Sequence, residues 1–184
     1  MSLRKIFRAW SWKSFYKSEI KGSIAIESAF LLPAFALLFV ASTTLFQVQR
    51  VGSSYIHAAT TISDLVTRHI EVTDDNADEF YAMARSLVAS DDNLKVTLTS
   101  VSYNATEDEY FVNWSSSNVD GEEFENDDIL RFQFPAMEVS ESVMLVVVEG
   151  SYSPVIDSFF DADVQFVEHA IRRPRFVRLV DRRI

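Results

Sequence analysis

The most pronounced pattern in the sequence is a run of 19 residues without a charged side chain, residues 28–46, which reads SAFLLPAFALLFVASTTLF. As an α-helix this run is about 28 Å long, close to the roughly 30 Å thickness of the hydrocarbon core of a bilayer. The pattern therefore predicts a membrane-spanning helix. Pro33 lies inside it and predicts a kink, which membrane helices tolerate when neighbouring groups satisfy the freed carbonyl.

Helical periodicity continues beyond the apolar run, where apolar side chains recur at steps of three and four residues. We therefore predict one helix from about Ile24 to Ile70, roughly 70 Å long. Its first half is apolar on all sides, whereas its second half is amphipathic and needs a globular body to pack against. The apolar stripe of the second half consists of Val51, Tyr55, Ala58, Ala59, Ile62, Leu65, Val66 and Ile70.

The pattern after this helix predicts a second, short helix and a β-hairpin. Residues 73–76 offer side-chain oxygens for an N-cap, and apolar residues at helical spacing over 80–88 predict a short amphipathic helix. Alternating residues over 94–101 predict a strand, although the alternation shifts before Tyr103. The polar residues 104–109 indicate a turn, and residues 110–114 a second strand.

Two further strands complete the predicted fold. Residues 115–128 are polar and acidic and predict a loop. Residues 142–150, SVMLVVVEG, are apolar and β-branched, which is typical of a buried central strand. Residues 163–170 form a weaker last strand. The fold class is therefore α+β, with a long N-terminal helix, a short helix and a small, mostly antiparallel sheet.

Charge divides the chain into regions. Residues 1–22 carry six bases and one acid, residues 171–184 also carry six bases and one acid, and residues 51–170 carry four bases and 24 acids. Because bases precede the apolar run, the positive-inside rule places the N-terminus in the cytoplasm and the acidic body outside. We divide the chain into a basic leader (1–22), a transmembrane helix (23–50), an α+β domain packed on the helix extension (51–170) and a basic tail (171–184).

Composition narrows the function classes. The net charge of −10 argues against general nucleic-acid binding, which needs basic surface. The chain has no cysteine, so a disulfide framework, a thiolate metal site and a cysteine nucleophile are excluded. Its three histidines, His57, His69 and His169, have no metal-ligand spacing, and no nucleotide-binding or hydrolase motif occurs. We expect no enzyme activity, no metal and no cofactor, and we interpret the acidic residues 120–128 as a solvated loop rather than a cation site.

The junction between leader and apolar run carries the candidate chemistry. Residues 21–30 read KGSIAIESAF, so Gly22 follows a basic leader and Glu27 stands five residues after it. A carboxylate at the edge of a membrane span costs a few kcal/mol unless it is paired or reaches headgroup water, and both outcomes are open from its position alone. The junction resembles a type IV prepilin signal. That resemblance implies cleavage between Gly22 and Ser23 by a membrane-embedded aspartyl peptidase, and pairing of Glu27 with the freed Ser23 amine of a neighbouring subunit.

Several segments together resemble the TadE-like minor pilins (pseudopilins) of the tight-adherence (Tad/Flp) pilus of alphaproteobacteria. The resemblance implies a pilin-like fold with a periplasmic domain and a non-enzymatic role in pilus assembly and adhesion. Implied partners are the prepilin peptidase, other pilins or pseudopilins, the inner-membrane assembly platform and membrane lipid, without nucleic acid. The segments are residues 22–33 (GSIAIESAFLLP), 61–68 (TISDLVTR), 101–115 (VSYNATEDEYFVNWS), 134–137 (FPAM), 143–149 (VMLVVVE), 152–154 (YSP) and 173–176 (RPRF).

Two alternatives stay open. The chain is also compatible with an uncleaved single-pass envelope protein whose periplasmic domain binds a partner. A soluble periplasmic binding domain released by signal peptidase is another alternative, because the small residues 41–43 follow an apolar core of suitable length, although the basic head of 22 residues is long for a signal peptide. For the basic tail we expect contacts with the acidic body of the same chain or of a neighbour, with a free tail and a lipid-bound tail as alternatives.

Overall fold

The computed structural model describes residues 6–88, 93–138, 141–154 and 163–183, with side chains from residue 24 onward. The chain forms two compact units, Met1–Leu45 and Phe46–Ile184. Helix α1, Ile6–Val66, contributes to both units. The remaining elements belong to the second unit: β1 (Glu71–Thr73), α2 (Asp74–Leu87), β2 (Lys95–Asn104), β3 (Glu109–Ser117), a 3₁₀ helix (Asp128–Arg131), β4 (Ser142–Tyr152), β5 (Val164–Arg172) and β6 (Asp181–Arg183).

Helix α1 starts earlier and ends earlier than the sequence pattern predicts. It begins at Ile6 rather than Ile24, because no glycine or proline interrupts the leader before Gly22 and its basic residues are good helix formers. It continues through Pro33 and ends at Val66. There the backbone tightens, since the amides of Arg68 and His69 donate to carbonyls three residues earlier.

In the first unit the side chains of residues 24–39 on α1 are exposed, and most of them are apolar. Phe30 is 76% exposed, Leu32 68% and Phe39 69%. The helix is long and apolar enough to cross a membrane, and its most apolar window is not buried within the protein. A buried helix of a globular core is therefore a poor description of this segment, whereas a single membrane-spanning helix agrees with it.

The second unit confirms the α+β class. Strands β2, β3, β4 and β5 form one antiparallel sheet in the order β3-β2-β4-β5, with the predicted hairpin at one edge and the predicted central strand β4 inside. The pairing of β2 with β3 shifts between Ser100 and Val101, which explains the shift in alternation before Tyr103. Helix α2 starts where predicted, with the Thr73 hydroxyl accepting a hydrogen bond from the Asn76 amide.

The sheet is covered on both faces. On one face, which we call the helix face, residues of α1 and α2 pack against Leu98 and Met144. On the other, which we call the cover face, Phe124 and Ile129 from the segment between β3 and β4 pack against Val143 and Leu145. Coverage on both sides explains why β4 is apolar at successive positions rather than at alternate ones.

A second, two-stranded sheet joins the end of α1 to the C-terminus. Strands β1 and β6 pair in parallel, with Glu71 opposite Asp181 and Thr73 opposite Arg183. The sequence analysis missed both strands, because three residues carry no periodic signal. The residues predicted as a basic tail therefore contribute the end of β5 and all of β6.

Candidate assembly site and its surroundings

Gly22, Ser23 and Glu27 all lie on α1, within one uninterrupted helix. Glu27 follows Ser23 by four residues, so the two residues lie on the same side of the helix about one turn apart. A backbone amine freed at Ser23 would therefore lie about one helical turn from Glu27 of its own chain. The structure thus brings the predicted site residues together along a single helix.

Glu27 stands among apolar side chains. Its side chain is exposed, and its neighbours Ile26 and Phe30 are 62% and 76% exposed. From residue 24 onward, where side chains are described, no base forms an ion pair with it. In an apolar environment a carboxylate attracts a nearby cation strongly.

The polar residues at the other end of the apolar run are internally satisfied. The hydroxyl of Ser42 donates to the Leu38 carbonyl at 2.7 Å, and that of Thr44 donates to the Val40 carbonyl at 2.9 Å. Because each hydroxyl bonds to its own helix, it does not need water or a neighbouring chain. These residues are therefore compatible with a membrane span, and Glu27 is the ionisable residue that directly precedes the uncharged run.

Two of the three histidines pack against aromatic rings in different parts of the second unit. The His69 ring packs edge-on against Phe80, with ring centroids 5.3 Å apart, and its Nδ1 lies 3.0 Å from the Leu65 carbonyl. His169 lies on the cover face, 5.0 Å from the Phe132 ring. Across the described ranges, no group of three or more histidines and acids could hold a metal ion.

The acidic loop acts as a cover for the sheet. The side-chain oxygens of Asn126 and Asp128 accept hydrogen bonds from the amides of Val112 and Glu125. Phe124, which precedes both residues in the loop, is buried against the sheet. The loop is therefore organised by its own turns and by one buried aromatic side chain.

A charged network connects this cover to the sheet. Lys95 Nζ lies 2.9 Å from Glu122 and 2.7 Å from Glu149, whose other oxygen is 3.5 Å from Arg131. The Arg131 guanidinium lies 5.0 Å from the ring of Phe124. Partial burial acts to lower the pKa of Lys95, but its hydrogen bonds to Glu149 and Glu122 outweigh that effect and raise the pKa above its usual value.

The C-terminal arginines contact the acids of their own domain. Arg172 and Arg175 share Asp64, at 3.8 and 3.4 Å, and Arg182 lies 3.1 Å from Asp74. Arg182 also donates to the Ser115 carbonyl at 2.8 Å. These contacts agree with the prediction that the tail contacts the acidic body of its own chain, although Arg178 forms no ion pair within the described ranges.

No family model, curated protein or solved structure matches the chain. The candidate site therefore rests on its own residues: a helix that carries a glycine, a following serine and an isolated carboxylate at the start of an apolar run. The sequence analysis did not find two surface features of the second unit, an exposed phenylalanine at residue 176 and an acidic pocket beside the β2–β3 hairpin. Neither has a sequence signal, because each depends on where loops lie after folding.

Proposed function

We propose that the protein is a non-enzymatic minor pilin (pseudopilin) needed for assembly of Tad (Flp, type IVb) pili. In this proposal α1 anchors it in the bacterial inner membrane, with the N-terminus cytoplasmic and the α+β domain periplasmic, and mature protein enters or initiates the pilus. The observation that supports the proposal most strongly is the junction itself. A basic leader, Gly22, Glu27 and an uncharged span follow one another on a single helix.

Cleavage after Gly22 is chemically reasonable at this position. Peptidases bind the scissile segment in an extended form, so the helix must open locally around Gly22 and Ser23. Glycine destabilises a helix interior by about 1 kcal/mol relative to alanine, so α1 opens more readily at this residue than at its neighbours. Gly22 would then provide both a small residue for the peptidase and the weak point in the helix.

After cleavage Glu27 would serve as the assembly contact. The new Ser23 ammonium of one subunit and the Glu27 carboxylate of another attract each other strongly in low dielectric, provided that they approach closely. Since each charge is costly without the other, the pair sets the axial position of neighbouring helices. Partners in this step are other pilins or pseudopilins and the inner-membrane assembly platform, in contact with membrane lipid.

The N-terminal residue of the protein isolated from its native envelope tests the proposal. Ser23 as the first residue supports the pseudopilin. A start near Thr43 supports a soluble domain released by signal peptidase. A start at Met1 or Ser2 supports an uncut single-pass envelope protein, which the uninterrupted helix across Gly22 also suits.

Two variants separate cleavage from assembly. Gly22→Ala should block processing and leave the precursor in the membrane, as seen by a size shift on immunoblots. Glu27→Ala should be processed but should reduce surface pili, counted by electron microscopy. Glu19→Ala is the matched control, because it removes an acid from the leader rather than from the mature helix. Normal piliation in both the Gly22 and Glu27 variants would overturn the role assigned to the junction.

A further inference from the structure

One aromatic side chain of the C-terminal segment, Phe176, lies at the surface of the second unit, and we call it the knob. Phe176 is 73% exposed and stands between Arg175 and Arg178. The backbone on both sides of it is fixed: the Arg175 amide donates to the Thr67 carbonyl at 3.0 Å, and the Arg178 carbonyl accepts from the Ser142 amide at 2.9 Å. A large apolar side chain held in water by an ordered backbone is a feature of interaction surfaces.

The surroundings of the knob carry unneutralised positive charge. Arg175 shares the single carboxylate of Asp64 with Arg172. Arg68 directly follows Thr67, and neither Arg68 nor Arg178 forms an ion pair with any residue in the described ranges. The knob is therefore an apolar centre within a basic surface, on a chain whose net charge is −10.

A pocket of opposite character lies beside the β2–β3 hairpin. It has a volume of about 460 Å³ and an apolar part formed by Tyr110, Phe111 and Leu130. Leu130 is 75% exposed, so this apolar surface is open to solvent. The carboxylates around it form no ion pair with a described base, and they belong to Glu107, Asp108, Glu109 and Asp127.

Phe176 does not line the pocket of its own molecule. It belongs to the segment bonded to the end of α1, whereas Leu130 belongs to the segment over the cover face, where Tyr110 also packs. Because Phe176 is 73% exposed in its own molecule, a contact that buries it in the pocket is made with a second molecule.

We propose that Phe176 of one copy inserts into the acidic pocket of a second copy, with Arg175 and Arg178 facing the pocket's carboxylates. A second copy is the occupant that the structure favours, because the same chain carries both the basic apolar knob and the acidic apolar pocket. The aromatic ring provides the buried anchor, and the opposite charges orient the approach. The contact uses the knob of one copy and the pocket of the other. The pocket of the first copy and the knob of the second therefore stay free, and further copies can add to form a row.

This contact lies between globular domains and does not depend on the Glu27 site. It therefore holds or fails separately from the proposed pilin role. The attraction between the arginines beside the knob and the carboxylates of the pocket is screened by salt, because both surfaces are solvent-exposed in the free molecule. We therefore expect the association of two copies to weaken as the salt concentration increases.

Photo-cross-linking in membranes tests the contact with the full-length chain. The photoreactive analogue p-benzoylphenylalanine replaces Phe176, which keeps an aromatic ring at the knob, and a second, differently tagged copy is co-expressed. We expect a cross-linked dimer whose attachment site maps by mass spectrometry to residues 104–111 or 126–131 of the second copy. Absence of a dimer, attachment elsewhere on the second copy, or attachment to a different protein would each overturn the proposal.

Charge reversal provides the matched controls. Asp127→Arg in the pocket copy should lower the dimer yield roughly tenfold, and Arg178→Glu in the knob copy should do the same. Combining Arg178→Glu in one copy with Asp127→Arg in the other should restore most of the yield. Asp120→Arg makes the same charge change on an exposed loop outside the pocket and should leave the yield unchanged. Equal losses with Asp120→Arg, or no recovery in the combination, would show that the pocket is not the contact.

Discussion

Gly52 lies beneath the ring of Phe166, and this contact explains why a residue with poor helix propensity occurs in the middle of α1. A Cβ atom at this position would come within 3.0 Å of Phe166 Cε1. The ring cannot move away freely, because it stacks on Tyr55 with ring centroids 5.1 Å apart. The close approach of β5 to the helix therefore depends on the missing side chain.

Replacing this glycine tests the contact. Gly52→Val should lower the free energy of unfolding by about 1–3 kcal/mol, because the added carbons overfill the space under Phe166 and outweigh the gain in helix propensity. Ser53→Val is the control, since Ser53 is exposed on the same helix and should change stability by less than about 0.5 kcal/mol. Thermal unfolding of the purified full-length protein, followed by circular dichroism, measures both. Equal stability of the two variants would contradict the packing argument.

Because of Tyr81, we expect the stability of the second unit to fall at alkaline pH. Its side chain is 8% exposed, and its hydroxyl donates to Ser116 Oγ at 2.8 Å. Burial raises the pKa of Tyr81 above the usual 10.0, since the phenolate is poorly solvated there. Folded protein thus keeps this proton to higher pH than the unfolded chain does. The stabilisation is present below pH 10 and is lost as pH rises through the raised pKa.

We therefore expect Tyr81→Phe to flatten the loss of stability above pH 10, while costing about 1 kcal/mol at neutral pH through the lost hydrogen bond. Ser116→Ala is the comparison, because it removes the same hydrogen bond but keeps the buried phenol and hence the alkaline loss. Denaturant unfolding between pH 8 and pH 11 distinguishes them. A wild-type slope in the Tyr81→Phe protein would show that this hydroxyl is not responsible.

At the scale of elements, the C-terminal segment completes the core. Val180 is fully buried within the helix-face cluster, and its carbonyl accepts a hydrogen bond from Trp114 Nε1 at 2.7 Å. The next amide, of Asp181, donates to the Ile70 carbonyl, and β6 then pairs with β1. Hydrogen bonds therefore join the segment both to Trp114 of β3 and to Ile70, just after α1.

Truncation of one side chain in this segment tests its contribution. Val180→Ala should destabilise the protein by about 2 kcal/mol, because it leaves a cavity in a closed cluster. Leu179→Ala removes a larger side chain from the adjacent position, but Leu179 is 37% exposed and should matter less. Chemical denaturation gives both values. If the Leu179 variant were the less stable of the two, the burial assigned to Val180 would be wrong.

The elements differ in how far the sequence predicts them. Strand β4 and the hairpin were predicted because their apolar residues follow a strong local pattern, and α2 because Thr73 precedes it as a cap. Strands β1 and β6 could not be predicted, since three residues each pair across about a hundred positions of sequence. Likewise Gly22 and Glu27 were found by local spacing, whereas the pocket at Leu130 is formed by loops that meet after folding.

At the scale of the whole molecule, the chain joins an exposed apolar helix to a domain with its own core. Leu37, in the middle of the apolar run, is 59% exposed. An arginine at the centre of a membrane helix costs roughly 2.5–3.5 kcal/mol on insertion. We expect Leu37→Arg to reduce the fraction of protein that resists alkaline carbonate extraction, whereas Ser53→Arg, on the helix within the second unit, should not. Unchanged extraction of the Leu37 variant would argue against a spanning helix.

The parallel pairing of Glu71–Thr73 with Asp181–Arg183 has a consequence for biosynthesis. A ribosome makes residues 71–73 about a hundred residues before residues 181–183. β1 therefore stays unpaired until β6 has been synthesised, and the small sheet cannot form before then. Until that point the apolar side chains that β6 and its neighbours will cover are exposed, which favours aggregation of the unfinished domain.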